Sequence, residues 1–167
     1  MSEGFPSAYT AVGWAYRRVN TPIITKPSIF YMGAKTRMDF NPTLTPWDKV
    51  AEAAFILKNL ERVCKPMELL AVRLYFCGDE GAMTTALATY LGRRVNKDRW
   101  FVRDAMLQWS TGRPKHTSRW WAKRYDIGQT TVVRWSKKIR GEVDKAFKDG
   151  LNKAEEALEA SGHIVRL

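Results

Sequence analysis

The chain has little of what metal and redox chemistry needs. Two cysteines, Cys64 and Cys77, and two histidines, His116 and His163, are scattered over 167 residues. They are too few and too dispersed for a structural zinc site, and the thiols read as buried, reduced side chains. Acidic residues are scarce as well, 17 against 28 Lys and Arg. The nearest acidic cluster is Asp79-Glu80, between Gly78 and Gly81. It reads as a surface turn, and a nuclease needs more carboxylates than that to hold its metal. A phosphate-binding glycine loop and a Ser/Cys–His constellation are both missing. No enzyme activity, metal or cofactor is therefore expected. No apolar run approaches the ~20 residues that span a bilayer, and the N-terminus lacks a basic segment followed by an apolar one. The expectation is a cytoplasmic protein with no membrane partner.

What is present is a core and a charge. Hydrophobic residues make up 45% of the chain and aromatics 12%, with seven Trp, which excludes wholesale disorder. The formal charge of +11 points to a polyanionic partner. That charge is unevenly placed. Residues 93–145 hold 15 Lys or Arg and 5 Asp or Glu, a net of +10, and the rest of the chain nets +1. A solvated charge run does not readily concentrate the excess on one third of the chain.

Hydrophobic periodicity predicts an all-α protein in three parts: an N-terminal arm (1–44), a helical domain (45–141) and a C-terminal helix with tail (142–167). The arm carries Pro6, Pro22, Pro27 and Pro42, with one short helix over 7–19 and an ordered apolar stretch over 20–40 that is too proline-rich for a central strand. Its Arg17, Arg18, Lys35 and Arg37 read as solvated surface. Thr45-Pro46 is an N-cap followed by proline at the first helical position, opening a helix that stops near Cys64. Further helices are predicted over 66–76, 83–91 and 100–109, and a basic connector over 110–118 holds Gly112 and Pro114.

Residues 119–140 then read as a helix-turn-helix. Thr117 or Ser118 caps a helix running to about Tyr125. Ala122 is small where the helices approach, and Asp126-Ile127-Gly128 forms the turn with Ile127 as its apolar plug. Asp126 stands where such turns usually carry glycine, and Asp tolerates the left-handed conformation better than most residues. Val132 and Trp135 face inward on the second helix, and Ile139 continues their stripe. The outward face is left to Gln129, Thr130, Val133, Arg134, Lys137 and Lys138. Residues at the start of a recognition helix read base edges in the major groove. Gln129 suits adenine, Arg134 guanine and Thr130 a thymine methyl, and Val133 is placed with them among the base contacts. Lys123, Arg124, Lys137, Lys138 and Arg140, with Arg113 and Lys115 in the connector, suit phosphate.

The run from Ala122 to Trp135 resembles the helix-turn-helix of small bacterial and phage regulators. Residues 68–76 (Glu-Leu-Leu-Ala-Val-Arg-Leu-Tyr-Phe) loosely resemble the helix before that motif in sigma-factor region 4 domains, and the arrangement is similar to phage antitermination proteins of the Q type. The basic insertion over 93–113 departs from their shorter spacing. The resemblance implies a double-stranded DNA-binding transcription regulator in a bacterial cell or phage-infected host. If of the Q type, it acts with RNA polymerase as an antiterminator. A DNA-recognition subunit of a larger assembly, such as a small terminase subunit, is the alternative. The apolar stripe over 143–158 (Val143, Phe147, Leu151, Ala154, Leu158) either pairs with its twin in a homodimer or packs back on its own domain. Gly150 weakens that helix by roughly 1 kcal/mol relative to alanine, and the tail from Gly162 is expected to fray.

Overall fold

Proline and capping residues set the ends of the helices. In the computed structural model, which describes residues 4–20, 45–78 and 81–165, seven helices are present among the described residues. They are α1 (Ala8–Asn20), α2 (Pro46–Val63), α3 (Pro66–Cys77), α4 (Ala82–Val95), α5 (Arg99–Thr111), α6 (Ser118–Tyr125) and α7 (Gln129–Ala160). The chain is all-α, and the one extended pairing among these residues is a parallel bridge between Phe5 and Ile164. The apolar stretch expected over 20–40, with Lys35 and Arg37, and the turn at Asp79-Glu80 lie outside the described residues.

The capping chemistry follows the residues. Thr45 Oγ1 accepts from Asp48 N at 3.2 Å, and Asp48 Oδ2 accepts in return from Thr45 N at 3.0 Å. Two of the orphan donors at the start of α2 are thereby satisfied. The Thr45 hydroxyl, donating to Asp48 Oδ2 at 2.6 Å, and then the Thr45 amide hold the Asp48 carboxyl below its usual range. Glu68, buried, accepts from Lys65 N at 2.8 Å to open α3.

Two compact units form, Met1–Val63 with Leu151–Leu167, and Cys64–Gly150. The expected boundaries after residues 44 and 141 differ from this division. In the first unit α1 packs against α2, so α2 belongs with the N-terminal helix rather than with the motif. The core of that unit includes Val12, Trp14, Ile56, Leu60 and Leu158. The tail does not fray before Val165. Phe5 N donates to His163 O at 2.7 Å and Val165 N to Phe5 O at 3.1 Å. His163 also stacks on Phe55 with ring centroids 4.8 Å apart, and Ile164 is buried. Short-range pairing with a sequence-distant strand residue gave no local signal.

In the second unit α4 packs on α5, and α3 on both. Gly92 is required at the α4–α5 turn, because a Cβ there would lie 2.8 Å from Lys97 O. Gly150 has a similar reason. Its buried Cα faces α3, where a Cβ would stand 3.2 Å from Val72 Cγ2 and 3.3 Å from Glu68 Cβ. Cys64 and Cys77 are half-buried thiols outside any disulfide rather than fully buried ones, and Cys64 Sγ donates to Gly150 O at 3.5 Å.

The largest departure is α7. A recognition helix and a separate C-terminal helix were expected, yet one helix of 32 residues runs through Gly141 without a break. A helical glycine costs about 1 kcal/mol against alanine, and apolar burial on both sides of it offsets that. Ile139 and Val143 are 1% and 0% exposed. The stripe offered for a homodimer is consumed in the same way. Val143, Ala146, Phe147, Ala154 and Leu158 are buried within the chain, with Phe147 ringed by Tyr75, Phe76 and Trp109. Leu151 is half-buried, and most of that stripe packs within its own chain, the second of the two expected alternatives.

Candidate nucleic-acid interface

The basic segment is organised around one buried carboxylate. Asp104, on α5, is 5% exposed, and a carboxylate so placed must be hydrogen-bonded. Its Oδ2 accepts three bonds: from His116 N at 3.0 Å, from His116 Nδ1 at 2.8 Å and from Trp121 Nε1 at 2.9 Å. The acceptor belongs to α5, and the donors to the connector after α5 and to α6. This one oxygen thus fixes the path of the chain from α5 into α6. The rings close around it. His116 stacks on Trp120 at 4.0 Å, and Phe101 meets Trp121 edge-on at 5.4 Å.

Thr117 caps α6 by accepting from Trp120 N, as its place before Ser118 suggested. Asp126 ends the helix in the left-handed conformation, φ 51° and ψ 50°. Ile127 N donates to Ala122 O at 3.1 Å, so one intervening residue bends the chain sharply before Gly128 and the start of α7. A second tie spans the turn, where Gln129 Nε2 donates to Ser118 Oγ at 2.9 Å.

The inward residues are partly those expected. Val132 is buried, but Ala122, Ile127 and Trp135 are each half-buried. The plug is Trp121, 3% exposed, which meets Phe101 edge-on and lines one pocket with Val132. Ile127 does not fill that role, because the turn holds it at the edge of the core. Trp135 is shielded on one side by the Lys97 ammonium, 3.7 Å from its ring centroid. It meets Phe101 and Tyr125 edge-on.

The outward assignment matches the surface. Gln129, Thr130, Val133, Arg134, Lys137 and Lys138 are all exposed, as are Arg113, Lys115, Lys123 and Arg124. Val133 is 46% exposed, an apolar side chain left among cations. Gln129 keeps its side-chain oxygen free of the bond to Ser118, which uses the amide nitrogen. Arg140 departs from the set. It is half-buried with its Nε enclosed, so it is a poor phosphate ligand beside Lys137 and Lys138.

The acidic residues of the segment are mostly turned to internal use. Asp98 caps α5 by accepting from Trp100 N at 3.0 Å, and it also accepts from Tyr125 Oη at 3.4 Å. Burial, then the charge and hydrogen bond of Asp98, push the Tyr125 phenol up to about 12. Glu142 pairs with Arg94 at 3.4 Å and Asp144 with Lys148 at 2.7 Å, the latter pair holding the Asp144 carboxyl below its usual range. Asp104 is buried, and Asp126 occupies the turn. Sequence reading missed Asp104, His116 and Trp121 because their spacing carries no local pattern. Asp98 was missed as well, although its place directly before the helical run from Arg99 is a signal that could have marked it as a cap.

Among the described residues no group of three His, Cys, Asp or Glu could hold a metal ion, and no helix is long and apolar enough to cross a membrane. No family model, curated protein or solved structure matches the chain.

Proposed function

We propose that α6, its turn and the start of α7 form a helix-turn-helix, and that the protein is a sequence-specific double-stranded DNA-binding transcription regulator. One observation carries this reading. The exposed face of α7 opposite buried Val132 and Ile139 is Gln129, Thr130, Val133, Arg134, Lys137 and Lys138. It holds hydrogen-bonding and apolar groups at the helix start and cations one turn on. That order suits base edges first and phosphates after. The finer form, a phage or prophage antiterminator acting with RNA polymerase, rests on resemblance of the motif alone.

Selection of bound genomic fragments, followed by run-off transcription on the recovered site, tests both levels. Sequence preference in the selected pool supports the regulator, and readthrough past a terminator supports the antiterminator. Arg134→Ala should cost about 1–3 kcal/mol of affinity and relax one base preference. Equal losses on selected and random duplexes would reduce Arg134 to a phosphate contact.

A further inference from the structure

Beside the proposed duplex face lies a cleft of 440 Å³ between α5 and α6, within the usual span of ligand sites. Trp100 and Trp120 line it, together with Arg103, Lys115 and Arg124. Both indoles are open to solvent, 47% and 41% exposed, whereas Trp14 and Trp121 are buried. Large aromatic faces left exposed in a cluster mark recognition surfaces. Each carries a guanidinium: Arg99 lies 4.8 Å from the Trp100 ring centroid and Arg124 5.4 Å from that of Trp120. The Trp120 ring is also held in place by the stacked His116, itself bonded to Asp104. The one carboxylate lining the cleft is Asp104, whose Oδ2 is already committed to His116 and Trp121.

We infer that this cleft binds single-stranded nucleic acid, stacking an unpaired base against Trp100 and the Arg124–Trp120 pair. The exposed Lys115 and Arg124 take the flanking phosphates. Aromatic faces between cations are the chemistry by which unpaired strands are held with little sequence preference. A duplex does not satisfy the cleft, because its bases are already stacked on one another. The assignment goes beyond the duplex reading and does not depend on it, since it uses Trp100 and Trp120 and none of the α7 face.

The test is anisotropy of labelled oligothymidylate, oligouridylate and a duplex with the full chain, at fixed salt. Trp100→Ala and Trp100→Leu should each weaken single-strand binding by about five- to a hundredfold. Trp100→Tyr should retain most of it, and duplex affinity should change less than twofold. The oligothymidylate and oligouridylate arms tell DNA from RNA as the source of the strand. Unchanged far-UV circular dichroism and melting keep the variants interpretable, and the exposure of Trp100 makes that outcome expected. Absence of single-strand binding, equal loss on duplex and single strand, or displacement by polyglutamate as readily as by oligonucleotide would each overturn the inference. Absence of duplex binding by the unmodified chain, with the single-strand result intact, would instead overturn the helix-turn-helix reading.

Discussion

Replacing Asp104 by alanine removes the acceptor shared by three donors at 2.8–3.0 Å. A hydrogen bond to a charged group is worth about 1.5–3 kcal/mol, but a plain sum over three overshoots, because the donors differ in what they do next. The His116 side chain is 31% exposed, so its ring and amide reach water once released. The Trp121 indole N–H is buried and stays unsatisfied, at a cost of about 1–3 kcal/mol. With the two weakened His116 bonds added, Asp104→Ala should lose about 3–5 kcal/mol, the range for breaking a buried charged network. Asp104→Asn keeps one carbonyl oxygen for the indole and should lose only about 1–2 kcal/mol. Urea unfolding followed by circular dichroism gives both numbers. If the two variants cost the same, or alanine costs less than about 1 kcal/mol, the carboxylate is not what fixes the α5–α6 connection. The staple also carries a functional expectation. Arg113 and Lys115 ride on the connector it holds, so Asp104→Ala should weaken DNA binding in native-folded protein more than it weakens the fold.

Further expectations concern single positions. Lys138→Ala should weaken all duplexes alike and flatten the salt slope by about one unit, and an unchanged slope would remove Lys138 from the interface. Tyr125 holds its phenolic proton up to about 12 in the fold, against about 10 in an unfolded chain. Its contribution is therefore complete below pH about 10 and lost as pH rises towards 12. Tyr125→Phe should lack that alkaline loss and the highest-pH step of the tyrosinate absorbance titration. Equal alkaline profiles would mean the phenol does not feel Asp98. Gly150→Leu should destabilise by about 1–3 kcal/mol through crowding against Val72 and Glu68, despite its better helix propensity. A higher melting temperature would show that α3 can move aside.

The helices were legible because their punctuation is local. Thr45-Pro46, Pro66, Gly78 and Gly112 each mark an end through a backbone constraint that a neighbour in sequence imposes. The exposed face of α7 was legible for a related reason, since a helix presents every third or fourth residue on one side. The turn at Asp126 followed from the tolerance of aspartate for positive φ, and its φ is 51°. What escaped the reading depends on distant partners. Nothing near Asp104 announces His116 and Trp121, and nothing near Ile164 announces Phe5. The expected boundary after residue 141 followed the end of the motif, and the helix crosses it because burial of Ile139 and Val143 outweighs the weak propensity cost of Gly141. The choice between the two alternatives for the 143–158 stripe was not legible, because periodicity shows that a face is apolar but not what covers it.

Counting charges along the sequence understates what the surface of the segment presents. Its net of +10 already includes five carboxylates, as though each offset a cation in solution. Asp104 is spent in the core and Asp98 on a helix cap and a phenol, while Glu142 and Asp144 sit in ion pairs at the surface. The ion pairs consume cations as well, Arg94 among them, but Arg113, Lys115, Lys123, Arg124, Arg134, Lys137 and Lys138 remain exposed. Exposed cations attract a polyanion over about a Debye length, roughly 8 Å at physiological salt, and a chain of phosphates passing them meets few carboxylates. Burying Asp104 and tying up Asp98 therefore also keeps two carboxylates from answering the exposed cations. That links the two kinds of test. A variant that frees a carboxylate, as loss of Tyr125 frees part of Asp98, should lower nucleic-acid affinity at low salt and lose that penalty at high salt. A variant that removes a base contact should instead lower specificity at every salt concentration.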